Sequence, residues 1–323
     1  MPLTSQFSSL ILRLCRTISH LSSCGIAALL FLVLACEKPI ADDVALPVET
    51  EKDGNLILHI AFGESRASRS LDDYFGTVNF VIYQDGTKVK AFTQHSGGSG
   101  YGDVSVTLTP GTYQVLALAH SSTANPTLAH PNEIYFANKN SFSDTFYYYA
   151  NLEVAEEPRQ YTLTLERVSS CVRFIIEDEI PSSVATMLFQ YTGGSGTFNA
   201  LTGYGCKDSQ QYMEFPVDHT KGAPYVFDVY TILKGEEGEL SLTVRGLKKD
   251  GISFVDGLRK EFTVPVLRQE MAELRGKFFS EGEGNPDDSG NQNEPDTPSV
   301  PSDSTSFVIV VDTVWHQVKY LTY

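Results

Sequence analysis

The sequence predicts an all-β protein made of two sandwich or open-barrel domains in series. Three observations carry that prediction. Apolar and polar residues alternate with a period of two along most of residues 55–280. Turn-forming pairs separate these runs about every 8–12 residues. No stretch keeps a 3.6-residue apolar period, apart from a short helix candidate near Gln269 to Arg275.

The elements follow in chain order. "NLILHIAF" places Leu56, Leu58, Ile60 and Phe62 on one face of a first strand. "TVNFVIYQDGTKVKAF" is a hairpin, because Asp85-Gly86 suits a turn that needs positive φ at both central positions. "GDVSVTLTPGTYQVLALAH" reads as a second hairpin turning at Pro110-Gly111. Residues 121–150 have no clear period and end in the aromatic run Phe146 to Tyr149. Neighbours on a strand face opposite ways, so these four rings are expected to pack into cores rather than form one exposed platform. "RQYTLTLERVSSCVRFIIED" opens a second block as a long strand or a strand pair. "ATMLFQYTGGSGTFNALTG", "APYVFDVYTIL", "GELSLTVRGLKKDGISFVDG" and "RKEFTVPVLRQEMAELRGKFFS" continue the rhythm, with a glycine-rich break at 192–198. The expected domains are therefore 55–158 and 159–280.

The flanks differ in composition. Residues 1–35 contain Arg13 and Arg16 and no acid, and Gly25 to Ala35 is an unbroken apolar run. Eleven residues fit a secretory signal and fall short of the ~20 that span a bilayer. Extending the run upstream into a membrane helix would put Arg13 and Arg16 in hydrocarbon, at roughly 2.5–3.5 kcal/mol each. Val33-Leu34-Ala35-Cys36 is similar to the lipobox of bacterial lipoproteins, which makes 1–35 the signal and Cys36 the lipidated first residue of the mature chain. Residues 36–54 read as a tether, polar and broken by prolines. Residues 281–306 hold no aromatic residue and only Val300 as a large aliphatic, so they are expected to form a flexible linker. The tail 307–323 turns apolar again, with Phe307, Ile309, Val311 and Trp315 on one face of a strand that needs a groove to lie in.

Charge and chemistry narrow the function. Without Arg13 and Arg16, 22 bases stand against 40 acids, a net charge of −18. Such a chain repels phosphate backbones, so nucleic acid is not an expected partner. Beyond the signal and Cys36 only Cys171 and Cys206 remain, and either a disulfide or two free thiols fits that pair. The seven histidines form no HExxH or CxxC-plus-histidine pattern, so neither a metal nor another cofactor is expected. "GGSGYG" and "TGGSGTF" lack the Lys-Ser/Thr ending of a phosphate loop and the G-x-S-x-G spacing, and are read as loops between strands. Asp72, Asp73, Asp178 and Glu179 are adjacent acids whose default is a solvated rim. No enzyme is expected.

Several segments together resemble the fimbrillin-like lipoproteins of Gram-negative anaerobes, and more closely the FimB-type minor fimbrial subunit and anchor family. They are the lipobox at Cys36, "VNFVIYQDG", "LTPGTYQVLALA", "LTLERVSSCVRFIIED" with Arg167-Val168, and "VPVLRQEMAELRGKFF". The resemblance covers about residues 55–279, and the order of the motifs carries it. It departs at "ALAHSS", where the family often has an aromatic residue. It implies two transthyretin-like β-sandwiches, a lipid anchor in the outer membrane, surface exposure in a fimbrium, and other fimbrial subunits as partners, with host or bacterial surface ligands as further candidates. It also implies assembly by strand exchange, in which an arginine-specific cut releases a first strand and a partner's C-terminal strand takes its place. Arg66 and Arg69 sit where such a cut would fall, although an ordinary polar loop fits there too. The alternative is a surface glycan-binding lipoprotein of a polysaccharide-uptake system.

Overall fold

The computed structural model describes residues 54–61, 71–279 and 308–312. These residues are almost entirely strand and turn, with one three-residue 3-10 turn at Leu71–Asp73. The described residues fall within one compact unit. The signal, the tether up to residue 53, Arg66, Arg69 and the whole linker lie outside the described residues.

The first half contributes β1 (Leu56–Ala61), β2 (Thr77–Gln84), β3 (Thr87–His95), β4 (Asp103–Val106), β5 (Gly111–His120), β6 (Thr127–His130), β7 (Glu133–Tyr135), β8 (Phe146–Val154), β9 (Arg159–Thr164) and β10 (Glu166–Arg167). Sheet A runs β4-β1-β9 and sheet B runs β10-β8-β5-β2-β3. Leu56, Leu58 and Ile60 of β1 share a core with Phe80, Ile82, Val115 and Ala117 of sheet B, as the alternation in "NLILHIAF" requires. The Asp85-Gly86 turn has φ of 51° and 74°, and joins β2 to β3 as expected.

The second half contributes β11 (Ser170–Ile176), β12 (Thr186–Thr192), β13 (Ser195–Asn199), β14 (Tyr204–Asp208), β15 (Gln211–Pro216), β16 (Tyr225–Thr231), β17 (Glu237–Leu247), β18 (Phe254–Leu267), β19 (Met271–Gly276) and β20 (Val308–Asp312). Sheet D runs β15-β12-β17-β18, and sheet E runs β16-β11-β19-β20. Val172, Phe174 and Phe227 of sheet E meet Phe189, Leu242 and Val264 of sheet D in the second core.

One strand plan underlies both halves. With β6, β7 and β10 set aside, the seven remaining strands of the first half, counted in chain order, form sheets 4-1-7 and 3-2-5-6. With β13, β14 and β20 set aside, the second half gives the same two orders. In each, the first strand is antiparallel to the fourth and parallel to the seventh. The strands set aside include two hairpins, β6-β7 and β13-β14, which join edge to edge as sheet C through Thr197↔Tyr135 and Phe198↔Ile134. Sheet C covers the outer face of sheet B, so Val81, Tyr83, Leu116 and Leu118 belong to the same apolar cluster as the second core. For that reason β2 is buried on both faces.

Four expectations change. The boundary set between 158 and 159 falls within the first sandwich, because β9 pairs with β1 and β10 with β8; sheet partners switch between Arg167 and Ser170. The segments around Pro110-Gly111 do not pair with each other: β4 joins sheet A and β5 joins sheet B. The helix candidate near Gln269 is β19, entered through a turn with Gln269 at φ 62°. The glycine-rich break at 192–198 contains β13, an inner strand of sheet C. Its glycines mark close approaches: a Cβ on Gly194 would lie 2.0 Å from the Thr231 hydroxyl oxygen.

Candidate functional site: an added edge strand and its supports

β19 is the seventh strand of the second sandwich, and β20 lies on its far side. The two are antiparallel, with Leu274 opposite Ile309 and Ala272 opposite Val311. β20 thus stands outside the strand plan that the two halves share. It covers a row of backbone N–H and C=O groups that an edge strand would otherwise leave open to any extended chain. The corresponding strand of the first half, β9, has no strand on that side among the described residues.

β19 is held firmly against β11. They pair in parallel from Cys171↔Met271 to Ile176↔Gly276. The Cys171 amide donates to the Glu270 carbonyl (3.0 Å) and the Glu177 amide to the Gly276 carbonyl (2.9 Å), which extends the ladder at both ends. Beyond β19, the Asp178 carboxylate accepts from the amides of Phe278 (2.8 Å) and Phe279 (2.7 Å). Glu179 accepts from the Ala223 amide and the Tyr225 hydroxyl, both at 3.0 Å. These two acids were expected on a solvated rim; Glu179 is exposed as expected and Asp178 is half-buried, and both also fasten loops. On the outer face of sheet E, Arg173 makes a two-pronged pair with Asp228 at 2.7 Å on each arm. That contact pushes the guanidinium's pKa up against the opposing effect of burial.

Arg167 sits where the halves meet. Its side chain is nearly buried, forks onto Asp144 (2.8 and 2.9 Å), and lies over the Phe146 ring at 4.7 Å. The Ser169 hydroxyl donates to Asp144 (3.0 Å) and accepts from the Thr145 amide (3.0 Å). The Arg167 carbonyl accepts from the Gln269 side chain of the second half at 2.6 Å. Arg167 was visible in the sequence as a recurring position. Its partners Asp144 and Gln269, far off in sequence, were not, and neither was the loop-fastening role of Asp178, which the sequence marks only as one of two adjacent acids.

The sequence-predicted site residues fall as follows. Cys36, Arg66, Arg69, Phe307 and Trp315 lie outside the described residues. Ile309 and Val311 occupy β20 in the register given above. Cys171 and Cys206 are both free thiols, on strands of different sheets. Cys171 packs with Met271 and Tyr230, and burial raises its pKa well above the ordinary thiol range. Cys206 faces the carbonyls of Thr197 and Asn132 and is exposed. The pair is not bridged. The aromatic run splits between cores as expected: Phe146 and Tyr148 pack with the first, Tyr147 and Tyr149 with the second. Among the described residues no group of three His, Cys, Asp or Glu could hold a metal ion.

A family model for fimbrillin-A associated anchor proteins Mfa1 and Mfa2 matches residues 44–280, most of the chain and both sandwiches. The chain belongs to this Mfa1/Mfa2 anchor family. Membership makes it a fimbrial component, and the FimB-type resemblance read from the motifs points to the same group of proteins. Solved structures are similar to the chain at low identity. A Bacteroides thetaiotaomicron protein named as a polysaccharide-binding candidate has TM-score 0.46 and 13% identity, covering 70% of this chain and 92% of that one. The fimbrial anchor protein Mfa2 from Porphyromonas gingivalis has TM-score 0.38 and 10% identity, covering 69% and 90%. A fimbrial assembly protein from Parabacteroides distasonis has TM-score 0.37 and 13% identity, covering 70% and 90%. No curated protein matches the chain.

Proposed function

We propose that this member of the Mfa1/Mfa2 anchor family is a non-enzymatic subunit, lipidated at Cys36 and held in the outer membrane, that joins a neighbouring fimbrial subunit by strand pairing. The observation that carries this reading is β20: a further strand, outside the seven-strand plan, placed on an edge after a long connection. A strand joined in this way can leave its edge without taking a core strand with it. A vacated β19 edge, or a β20 released toward a partner, offers a full row of backbone donors and acceptors.

The processing route depends on β1, which lies between β4 and β9 with Leu56 and Leu58 fully buried. A cut at Arg66 or Arg69 would remove β1's covalent link to the domain and leave it held by its ladder, its buried side chains and the Asn55 contacts, and its departure would open a slot in the middle of sheet A. An anchor keeps β1 and its lipid; a polymerising subunit loses both. Family membership favours the anchor, and favours a fibre over a glycan as the partner. Intact-mass analysis of the native surface protein tests both points, with one lipid at Cys36 and an uncut chain expected. Recovery of a chain beginning after Arg66 or Arg69 would replace the anchor reading with the polymerising one.

A further inference from the structure

The shared strand plan has a mechanical consequence. β1 and β9 are parallel and in register from Leu56↔Arg159 to Ala61↔Thr164. The chain enters this pair at the Leu56 end and leaves it at the Thr164 end. Tension along the chain therefore drags the two strands past each other lengthwise. Between β11 and β19 the geometry repeats, with entry at Ser170 and exit at Gly276. A ladder sheared in this way loads all its hydrogen bonds together, whereas a ladder pulled from one end surrenders them one at a time. Each bond adds only about 1 kcal/mol net, so resistance to force depends on how many must break at once.

We propose that the two sandwiches are shear clamps in series, a mechanical function that carries tension between the N-terminal tether and the fibre. The source of the tension rests on the anchor reading; the clamps themselves do not.

Both clamps are fastened beyond their ladders. In the first, Asn55 ties the start of β1 to two neighbours: its side-chain amide donates to the carbonyls of Leu108 (2.8 Å) and Ala155 (2.7 Å), and its oxygen accepts from the Leu108 amide (2.8 Å). The Arg159 amide adds a bond to the Asn55 carbonyl at 3.0 Å. Gly54 lies so close to β4 that a Cβ there would be 2.5 Å from the Val106 nitrogen. These contacts gather where the tether enters the fold. In the second clamp, Asp178 holds the amides of Phe278 and Phe279, where the chain leaves β19.

β20 has the opposite geometry. It is antiparallel to β19, and its last residue, Asp312, pairs with Met271, at the end of sheet E where tension on β11 enters. Pulling the tail toward the fibre peels β20 from Asp312 one pair at a time. The chain thus combines two strand pairs that resist tension with one strand that yields to it.

Single-molecule force spectroscopy on the full chain in detergent tests this. One enzymatic attachment tag is placed in the 37–53 segment, ahead of β1. The second is placed either in the 281–306 segment, which shears both clamps, or between Glu156 and Glu157, exposed residues beside the near end of β9, which unzips β1 from β9. At one loading rate the shear arrangement is expected to need several-fold more force than the unzipping one. Asn55→Ala should lower the force of the first sandwich's event alone, and Asp178→Ala that of the second alone. Equal forces in the two arrangements, or variants that shift both events alike, would overturn the proposal. No fibre is present in this measurement, so it stands or falls apart from the anchor reading.

Discussion

The two sandwiches share a strand order but close it differently. In the first, β2 and most of β5 in sheet B are buried on both faces, with sheet C forming a third layer over them. The second has one long hairpin, with eleven residues in β17 and fourteen in β18, and carries β20 on an edge that has no strand in the first among the described residues. One half adds a third layer, the other a long hairpin and an extra edge strand. The comparison teaches that the seven-strand plan is the invariant, while the hairpins of sheet C and the added strand β20 are where each half acquires its own task. Sheet C also makes the halves interdependent, because each supplies half of it.

The largest expected effect tests that interdependence. Phe198 is fully buried in sheet C and meets Tyr147 of sheet B edge-on at 4.9 Å. Phe198→Ala should cost about 3–5 kcal/mol and still give one thermal transition. Two separated transitions would show that the sandwiches melt independently and that sheet C does not couple them.

A slightly smaller effect is confined to the first sandwich. His120 is buried between Asn79 and Asn125, and burial holds its pKa down to about 4 from an ordinary 6.5. The Ser122 hydroxyl oxygen lies 2.9 Å from His120 Nδ1, and Nε2 faces the Asn79 amide nitrogen at 3.1 Å and the Asn125 amide oxygen at 3.2 Å. The unfolded chain therefore takes up a proton before the folded one does. The contribution of neutral His120 is complete above about pH 6.5 and falls as the pH drops toward 4, by up to about 3 kcal/mol. Urea unfolding at pH 7 and pH 4.5, compared with His120→Gln, checks this; an unchanged pH dependence in the variant would place the titration elsewhere.

These two sites show how much the sequence could reveal. Alternation in "NLILHIAF" and the Asp85-Gly86 turn were legible because strand faces and hairpin turns are encoded locally. The allegiance of β9 and β10 was not, since it depends on β1 and β8, and "VAEEPRQ" has the composition of a linker although it is the turn between sheets A and B. Sheet C was hidden because its glycines read as loop signals. Gly194 and Gly205 are there to let side chains approach, the latter within 2.3 Å of the Ser195 Cβ for any added methyl. The apolar tail was legible as a strand in need of an edge, but nothing local says which edge.

The smallest expected effect concerns that tail. Deleting residues 307–323 should change the isolated chain's stability by less than about 1 kcal/mol, because the ladder of a five-residue edge strand, at about 1 kcal/mol per bond, is offset by about 1–2 kcal/mol per residue for ordering it. The same deletion should abolish incorporation into fibres. A loss of several kcal/mol would make β20 part of the second core and remove the contrast between the halves.

The most direct test of strand exchange places a photoreactive residue at Ile309, opposite Leu274 in the isolated chain. The purified protein should cross-link within itself. In assembled surface fimbriae, strand exchange predicts a covalent link from position 309 to a different fimbrial polypeptide. A link confined to the chain's own β19 in assembled fibres would contradict it.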